Sequence, residues 1–187
     1  MLKERFEKLF RHQKWGPSQN YFELKSLIGF MEKHFENDIQ RGIEIGTFHG
    51  GTLRFFREIM NETGRLISVD LNDRGFIPEV MTECRGDGRL KFVIGDSMAE
   101  KTLNEVEEHL EGNFADFVFI DGNHTAEYIK GDHENYSNLV RKGGLIILHD
   151  IVGDVINPYW NKVKKDTQSI EIFGKINPFG IGIIINE

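Results

Sequence analysis

Cysteine is almost missing from this chain. Cys84 is the only one, so no intrachain disulfide can form. A reducing compartment is the simple expectation, and with it a cytoplasmic location. Long apolar runs are missing too: no stretch approaches the roughly 18 residues of a membrane span. The N-terminus, MLKERFEKLF, is too charged for the apolar segment of a secretory signal. Basic charge is in deficit, with 23 Lys and Arg against 30 Asp and Glu and a net charge of -7. The one local basic cluster, Lys162, Lys164 and Lys165, is followed by Asp166 and reads as a solvated helix end. This balance argues against a nucleic-acid surface. No internal repeat or low-complexity tract is present.

What remains is ordinary globular composition, 39% hydrophobic and 28% charged over 187 residues. That fits one domain with an ample core. Leu2, Phe6, Leu9 and Phe10 form a short helical stripe that WGPS (15–18) breaks. Leu24, Leu27, Ile28, Met31 and Phe35 then recur at helical spacing, predicting a helix over about 20–37. Residues 1–38 are expected to form a helical lid or a dimer surface, and residues 39–187 the core of a single domain.

From Gly42 the chain alternates. Strands are expected at GIEIG (42–46), RLISVDL (65–71), RLKFVIG (89–95), ADFVFID (115–121) and GGLIILHD (143–150). Helices are expected over 50–60, weakly over 76–84, then over 98–111 and 125–141, with another starting near Pro158. Two strands, about 168–173 and GIGIIIN (180–186), finish the chain. Continuous apolar strands alternating with helices mean an α/β sandwich with a mostly parallel sheet covered on both faces. The last two strands are joined by GKINPF, too short for a helical crossover, so they must form an antiparallel hairpin.

In such sheets ligands bind beyond the carboxyl ends of the strands. That edge collects Gly46 to Gly51, Asp70, Gly95 to Ser97, Asp121 to His124, His149 and Asp150. Asp70 ends its strand 20 residues after Gly50, where a carboxylate can accept both ribose hydroxyls of a nucleoside. Nicotinamide and S-adenosylmethionine (SAM) enzymes share that feature. The turn Gly46-Thr47-Phe48-His49-Gly50-Gly51 separates them, because Phe48 stands where a dinucleotide fold wants a second glycine against pyrophosphate. A cofactor without phosphates fits better. Glu44, between Ile43 and Ile45, is a carboxylate in an apolar run and needs partners. The ammonium of SAM is one, directly or through water. Turn N–H groups, Arg41 and Arg54 are the others.

EIGTFHGGT, ISVDL, GDS, FIDGNH, GGLIILHD and GIGIII, in this order, resemble class I SAM-dependent methyltransferases. The nearest group contains catechol O-methyltransferase-like enzymes and sugar O-methyltransferases of the macrocin and cephalosporin-hydroxylase type. The resemblance covers about residues 40–187. It implies a Rossmann-like sheet ordered 3-2-1-4-5-7-6 with strand 7 antiparallel. It implies that Glu44, Gly46, Thr47, Phe48, Gly50 and Thr52 line the methionine end of SAM, that Asp70 holds the ribose, and that Asp96 and Ser97 border the adenine. Ser97-Met98-Ala99-Glu100 also reads as a capping box, which would be there without any cofactor.

Asp121 and Asp150 end two strands expected to be neighbours, about 4.8 Å apart. Carboxylates that close repel unless a cation such as Mg²⁺ sits between them. In metal-dependent relatives these two positions are ligands. The present chain departs from the catechol pattern, with Ile151 in place of an asparagine ligand, and from the sugar pattern, with His149 in place of an acid. Asn123 or His149 could complete the set; otherwise Asp150 caps a loop and Asp121 binds only the SAM ammonium. His124, three residues after Asp121, is the expected general base, and His49 a weaker one. His133 is expected on an exposed helix face with Asp132 and Glu134. Tyr159 and Trp160 either wall an acceptor pocket or belong to the core.

The resulting expectation is a SAM-dependent O-methyltransferase acting on a small-molecule hydroxyl, of a sugar or a polyphenol. A non-catalytic SAM-binding module and a nicotinamide-dependent oxidoreductase are the alternatives. The partners expected are a small-molecule acceptor and a second copy of the chain, with no nucleic acid or membrane.

Overall fold

The computed structural model describes residues 3–12, 16–73, 77–83, 88–176 and 178–187. Leu2, Trp15 and Cys84 lie outside them. The elements follow in the order α1 (Lys3–Phe10), α2 (Tyr21–His34), β1 (Arg41–Ile45), α3 (Gly51–Ile59), β2 (Arg65–Asp70), α4 (Ile77–Glu83) and β3 (Leu90–Ile94). Then come α5 (Glu100–Leu110), β4 (Ala115–Ile120), α6 (Ala126–Ser137), β5 (Val140–His149), α7 (Ile156–Val163), β6 (Ser169–Ile172) and β7 (Ile181–Ile185). The sheet has seven strands in the order β3-β2-β1-β4-β5-β7-β6. β7 runs antiparallel to both β5 and β6, as the short final connection requires. Among the described residues no helix is long and apolar enough to cross a membrane.

Alternation along β1 divides the two layers. Ile43 and Ile45 face a core that includes Val106 and Leu110 of α5, Ile129 and Tyr136 of α6, and Ile156 and Trp160 of α7. Phe117 and Phe119 of β4 face the other way, with Phe56 of α3 packed against both rings at 5.0 and 5.1 Å. That second core also takes Leu24, Leu27, Ile28 and Met31 of α2 and Phe6 of α1, so the N-terminal helices contribute to it directly. Truncating one such buried side chain to alanine typically costs about 2–5 kcal/mol.

Helix α2 starts where Asn20 Oδ1 accepts the Phe22 N–H at 2.9 Å, and Lys33 and His34 sit in its last turn, where positive charge is favourable. Helix α7 begins at Ile156, ahead of Pro158, because proline is tolerated in a first turn. Three boundaries differ from the sequence expectation by three residues or more: α2 ends at His34 rather than near 37, and the other two lie together. Helix α6 stops at Ser137 and β5 begins at Val140, since Val140 pairs with Ala115 across an irregularity in the ladder. Asn186 then holds the Val140 carbonyl through its Nδ2 at 2.7 Å. The capping box at Ser97 does not form: Ala99 is the N-cap of α5, with no side-chain bond.

Helix α6 carries another difference. Asp132 faces the sheet and is fully buried, and neither of its oxygens has a hydrogen-bond partner. His133 is partly buried, its Nδ1 2.6 Å from the Tyr159 hydroxyl. Trp160 is core, packed on β7 with Nε1 donating to Glu171 Oε1 at 2.6 Å.

Burial pushes the Asp132 carboxyl from 3.8 up to about 6; the charge of Asp96 adds to this and nearby Ser97 offsets part of it. A group with a raised folded-state pKa stabilises the fold at low pH, and that stability is lost as pH rises from 3.8 through about 6. We predict that the native protein loses roughly 3 kcal/mol across this window relative to Asp132→Asn. Urea unfolding of both proteins at pH 4 and pH 7 measures the difference; parallel pH dependence would exclude it.

Candidate active site

The carboxyl ends of β1, β2, β3, β4 and β5 surround a cavity of about 540 Å³. Its floor depends on one residue without a side chain. Gly46 has φ +93°, and a Cβ there would lie 2.2 Å from the Asp121 carbonyl oxygen. Only glycine lets the ends of β1 and β4 approach this closely. Phe48 follows with φ +48°. Its N–H donates to Asp70 Oδ2 at 2.9 Å, and its ring stacks on His49 with centroids 3.6 Å apart. Gly50 is the left-handed N-cap of α3.

Glu44 is fully buried behind this wall. Ser68 Oγ donates to its Oε2 at 3.1 Å, and Thr47 bonds Ser68 in turn. Its Oε1 has no hydrogen-bond partner. Burial raises the Glu44 carboxyl well above its usual range, and the Ser68 bond opposes this only in part. The partners expected for Glu44 were a cofactor ammonium, turn amides or arginines. The structure supplies a hydroxyl relay and an orphaned oxygen.

The far wall is built by β3 and α6. Asp96 Oδ1 accepts the Met98 N–H at 3.0 Å and its Oδ2 accepts from the Tyr128 hydroxyl at 2.9 Å. Ser97 and Tyr128 both line the cavity. Tyr128 had no signal in the sequence beyond its place at the start of a helix.

At the mouth lies a cluster of two acids and two histidines. His124 Nε2 is 2.7 Å from Asp150 Oδ2 and 3.4 Å from Asp121 Oδ1. His149 Nδ1 is 3.0 Å from Asp121 Oδ1 and 3.3 Å from Asp150 Oδ1. Hydrogen bonds to Asp121 and then Asp150 raise His124 to about 9 against the effect of partial burial. Burial works against a charged His149, yet its bonds to the same two acids raise it to about 10. Burial raises Asp121 and Asp150, but the bonds from both histidines outweigh it and hold them below the ordinary carboxylate range. Two carboxylates and two imidazoliums leave the cluster near neutral. Asp121, His124 and Asp150 each offer a donor atom within 4.8 Å of the others, so this set suits a divalent cation. His124 is thus a candidate third donor, beside the Asn123 and His149 considered from the sequence.

One further group was invisible in the sequence. Gln19, only 8% exposed, donates through Nε2 to Asp121 Oδ2 at 2.6 Å. Thr52 Oγ1 donates to its Oε1. The segment carrying it lies on Gly51, where a Cβ would fall 2.6 Å from Pro17 Cα. Of the residues expected around a cofactor, Gly46, Thr47, Phe48, Thr52, Asp70, Asp96, Ser97 and Asp121 line the cavity, and Glu44 and Gly50 stand behind it. Tyr159 and Trp160 lie away from it.

A methyltransferase-domain family model matches residues 43–151, more than half of the chain. A curated relative, the probable caffeoyl-CoA O-methyltransferase 2 of Dictyostelium discoideum, is 28% identical over 124 residues, covering 65% of this chain and 53% of that protein. The chain thus spans about half of that relative's length. Among solved structures, the O-methyltransferase TomG of Streptomyces achromogenes, in complex with SAM, superposes with a TM-score of 0.70 at 17% identity, covering 100% of this chain and 92% of that one. The Bacillus cereus O-methyltransferase, in complex with SAH, the demethylated product of SAM, gives 0.67 at 13% identity, covering 98% and 90%. With the strand order, the reversed last strand and the family match in agreement, this chain belongs to the methyltransferase-domain family and has the class I SAM-dependent methyltransferase fold.

Proposed function

We propose that the protein transfers a methyl group from SAM to a hydroxyl of a small, largely apolar molecule, polyphenol-like rather than a sugar. The observation that carries this reading is the meeting of two cavities. A groove of about 300 Å³ adjoins the larger cavity and shares His124, Asp150 and Phe179 with it. An acceptor in the groove and a cofactor in the cavity would face each other across the acid–histidine cluster.

The groove wall is mainly Val152, Val155, Ile156, Pro178 and Phe179, with Asp154 at its side. Such a wall suits a planar ring and offers few partners to the many hydroxyls of a sugar. No lysine or arginine lines it among the described residues.

Several features fit SAM. The turn is closed by Gly46 and Phe48 without a free pyrophosphate cradle, since the Phe48 amide is tied to Asp70. Asp70 stands at the ribose position and Asp96 and Ser97 at the adenine position. Glu44 places a carboxyl with one unpartnered oxygen beneath the methionine end. Bound there, SAM supplies an electrophilic methyl group and leaves as a neutral thioether. His124 Nε2 takes the proton of the acceptor hydroxyl. At a pKa of about 9 it holds its own proton at neutral pH. Asp121 and Asp150 would hold a divalent cation through oxygens that now bond His124. Released from them, the imidazole would return toward its ordinary value of about 6.5 and be a competent base. A metal held by the two aspartates would also lower the pKa of a chelated hydroxyl.

We predict that calorimetry detects SAH binding and no NAD binding. His124→Ala should lower methyl transfer to catechol by about 100-fold or more, with SAH affinity within about threefold of native. Retained turnover would remove His124 from the chemistry. EDTA should suppress activity and Mg²⁺ restore it; undiminished turnover in chelator would return both aspartates to cofactor and histidine binding alone.

A further inference from the structure

Glu23 is on α2, outside both cavities, and is completely buried. It sits three residues after the N-cap Asn20, the place where a glutamate ordinarily reaches back to the N-cap amide. It does not do so. Its Oε1 accepts the N–H of Gly174 at 2.7 Å and the N–H of Gly180 at 3.1 Å. Among the described residues it makes no ion pair, and its Oε2 has no hydrogen-bond partner. A buried carboxylate kept for two amides is costly unless those amides must be held.

Gly174 and Gly180 lie at the two ends of the connection between β6 and β7. Phe179 of this connection is the residue that walls both the cofactor cavity and the groove. Its ring centroid lies 5.9 Å from that of His149. The same stretch is knitted to the other groove wall: Ile151 N–H donates to the Gly180 carbonyl at 3.3 Å and Val152 N–H to the Phe179 carbonyl at 3.1 Å. Asn20 Nδ2 adds a bond to the Ile176 carbonyl at 3.2 Å. Gln19, one residue earlier, holds Asp121. Residues 19–23 therefore tie the catalytic cluster to the groove wall in a single helical start.

We propose that Glu23 is a positioning residue for the acceptor: one carboxylate oxygen fixes both ends of the β6–β7 connection and so sets Phe179 against the groove. The proposal rests on the groove being the acceptor site. Reach, rather than charge, is what the geometry demands. Glutamine keeps an oxygen at the same distance, aspartate keeps the charge but falls one carbon short, and alanine loses both.

The test compares Glu23→Gln, Glu23→Asp and Glu23→Ala in the full chain, with catechol as acceptor probe and SAH as cofactor probe. Glu23→Asp and Glu23→Ala should raise the KM for catechol about tenfold, with kcat within about threefold and SAH affinity within about twofold. The Gly174 and Gly180 amides should exchange hydrogen about tenfold faster. Glu23→Gln should behave as native. If Glu23→Ala does not fold, the aspartate and glutamine variants still decide. Catechol KM unchanged in Glu23→Asp, or SAH affinity lost in step with it, would overturn the proposal. Should native protein bind SAH without methylating catechol, catechol affinity for the SAH complex is compared instead, and equal values in native and Glu23→Asp protein overturn it. Failure of native protein to bind SAH would instead sink the methyltransferase reading; the proposal would then fall with the acceptor site it serves.

Discussion

The carboxylate of Asp121 stands where distant parts of the chain converge. Its Oδ2 takes Gln19 from the segment before α2, and its Oδ1 takes His149 from β5 and lies near His124 from the loop after β4. It can stand there only because the backbone of β4 closes on β1, with the Asp121 N–H donating to the Ile45 carbonyl at 2.9 Å. That closure needs the bare Cα of Gly46. A carboxylate with this many donors is ionised in a partly desolvated place, and its charge sets the protonation of the histidines around it. Cofactor wall, proton-holding groups and the start of the N-terminal core helix are thus joined through one side chain.

The charge balance of this cluster explains its composition. Two acids at the ends of adjacent parallel strands would repel if left alone. Here His149, nearly enclosed between Phe119 and Phe179, supplies one compensating charge from inside the protein, and His124 supplies the other from the solvent side. The inner histidine is fixed by burial, whereas His124 is half exposed and is the one able to exchange partners. The two imidazoles thus offset the repulsion between the aspartates. Glu44 differs: it lies deeper, bonded to Ser68, and stands behind the cavity rather than lining it.

Much of the architecture was legible in the chain. The apolar strands, the glycine turn and the short final connection lead to a mostly parallel sheet with a reversed last strand, and the strand order agrees with the resemblance. Strand-end residues such as Asp70, Asp96, Asp121 and Asp150 could be placed at one edge because parallel strands all deliver their carboxyl ends to the same side. Harder to read were residues whose role depends on another layer. Asp132 and His133 looked like a polar surface because residue type suggested exposure, whereas Asp132 shares its helix face with the buried Ile129 and Tyr136 and His133 meets Tyr159 of α7. Ser97 looked like a cap because local pattern competes with the actual start of α5. Gln19 and Glu23 carried no signal in the sequence, since their partners are 102 and more than 150 positions away.

Periodicity, glycine placement and the order of strand-end acids are local properties, and the sequence by itself determined through them the fold class, the binding edge and the position of the acids. The tertiary structure alone decided which side chains share a proton, which carboxylates stand behind the wall, and how the N-terminal helix start is tied to the loop of the last hairpin. The reason is physical: backbone propensity and patterning act within a few residues, whereas ion pairing, desolvation and shared hydrogen bonds depend on distances that exist only after the layers have packed.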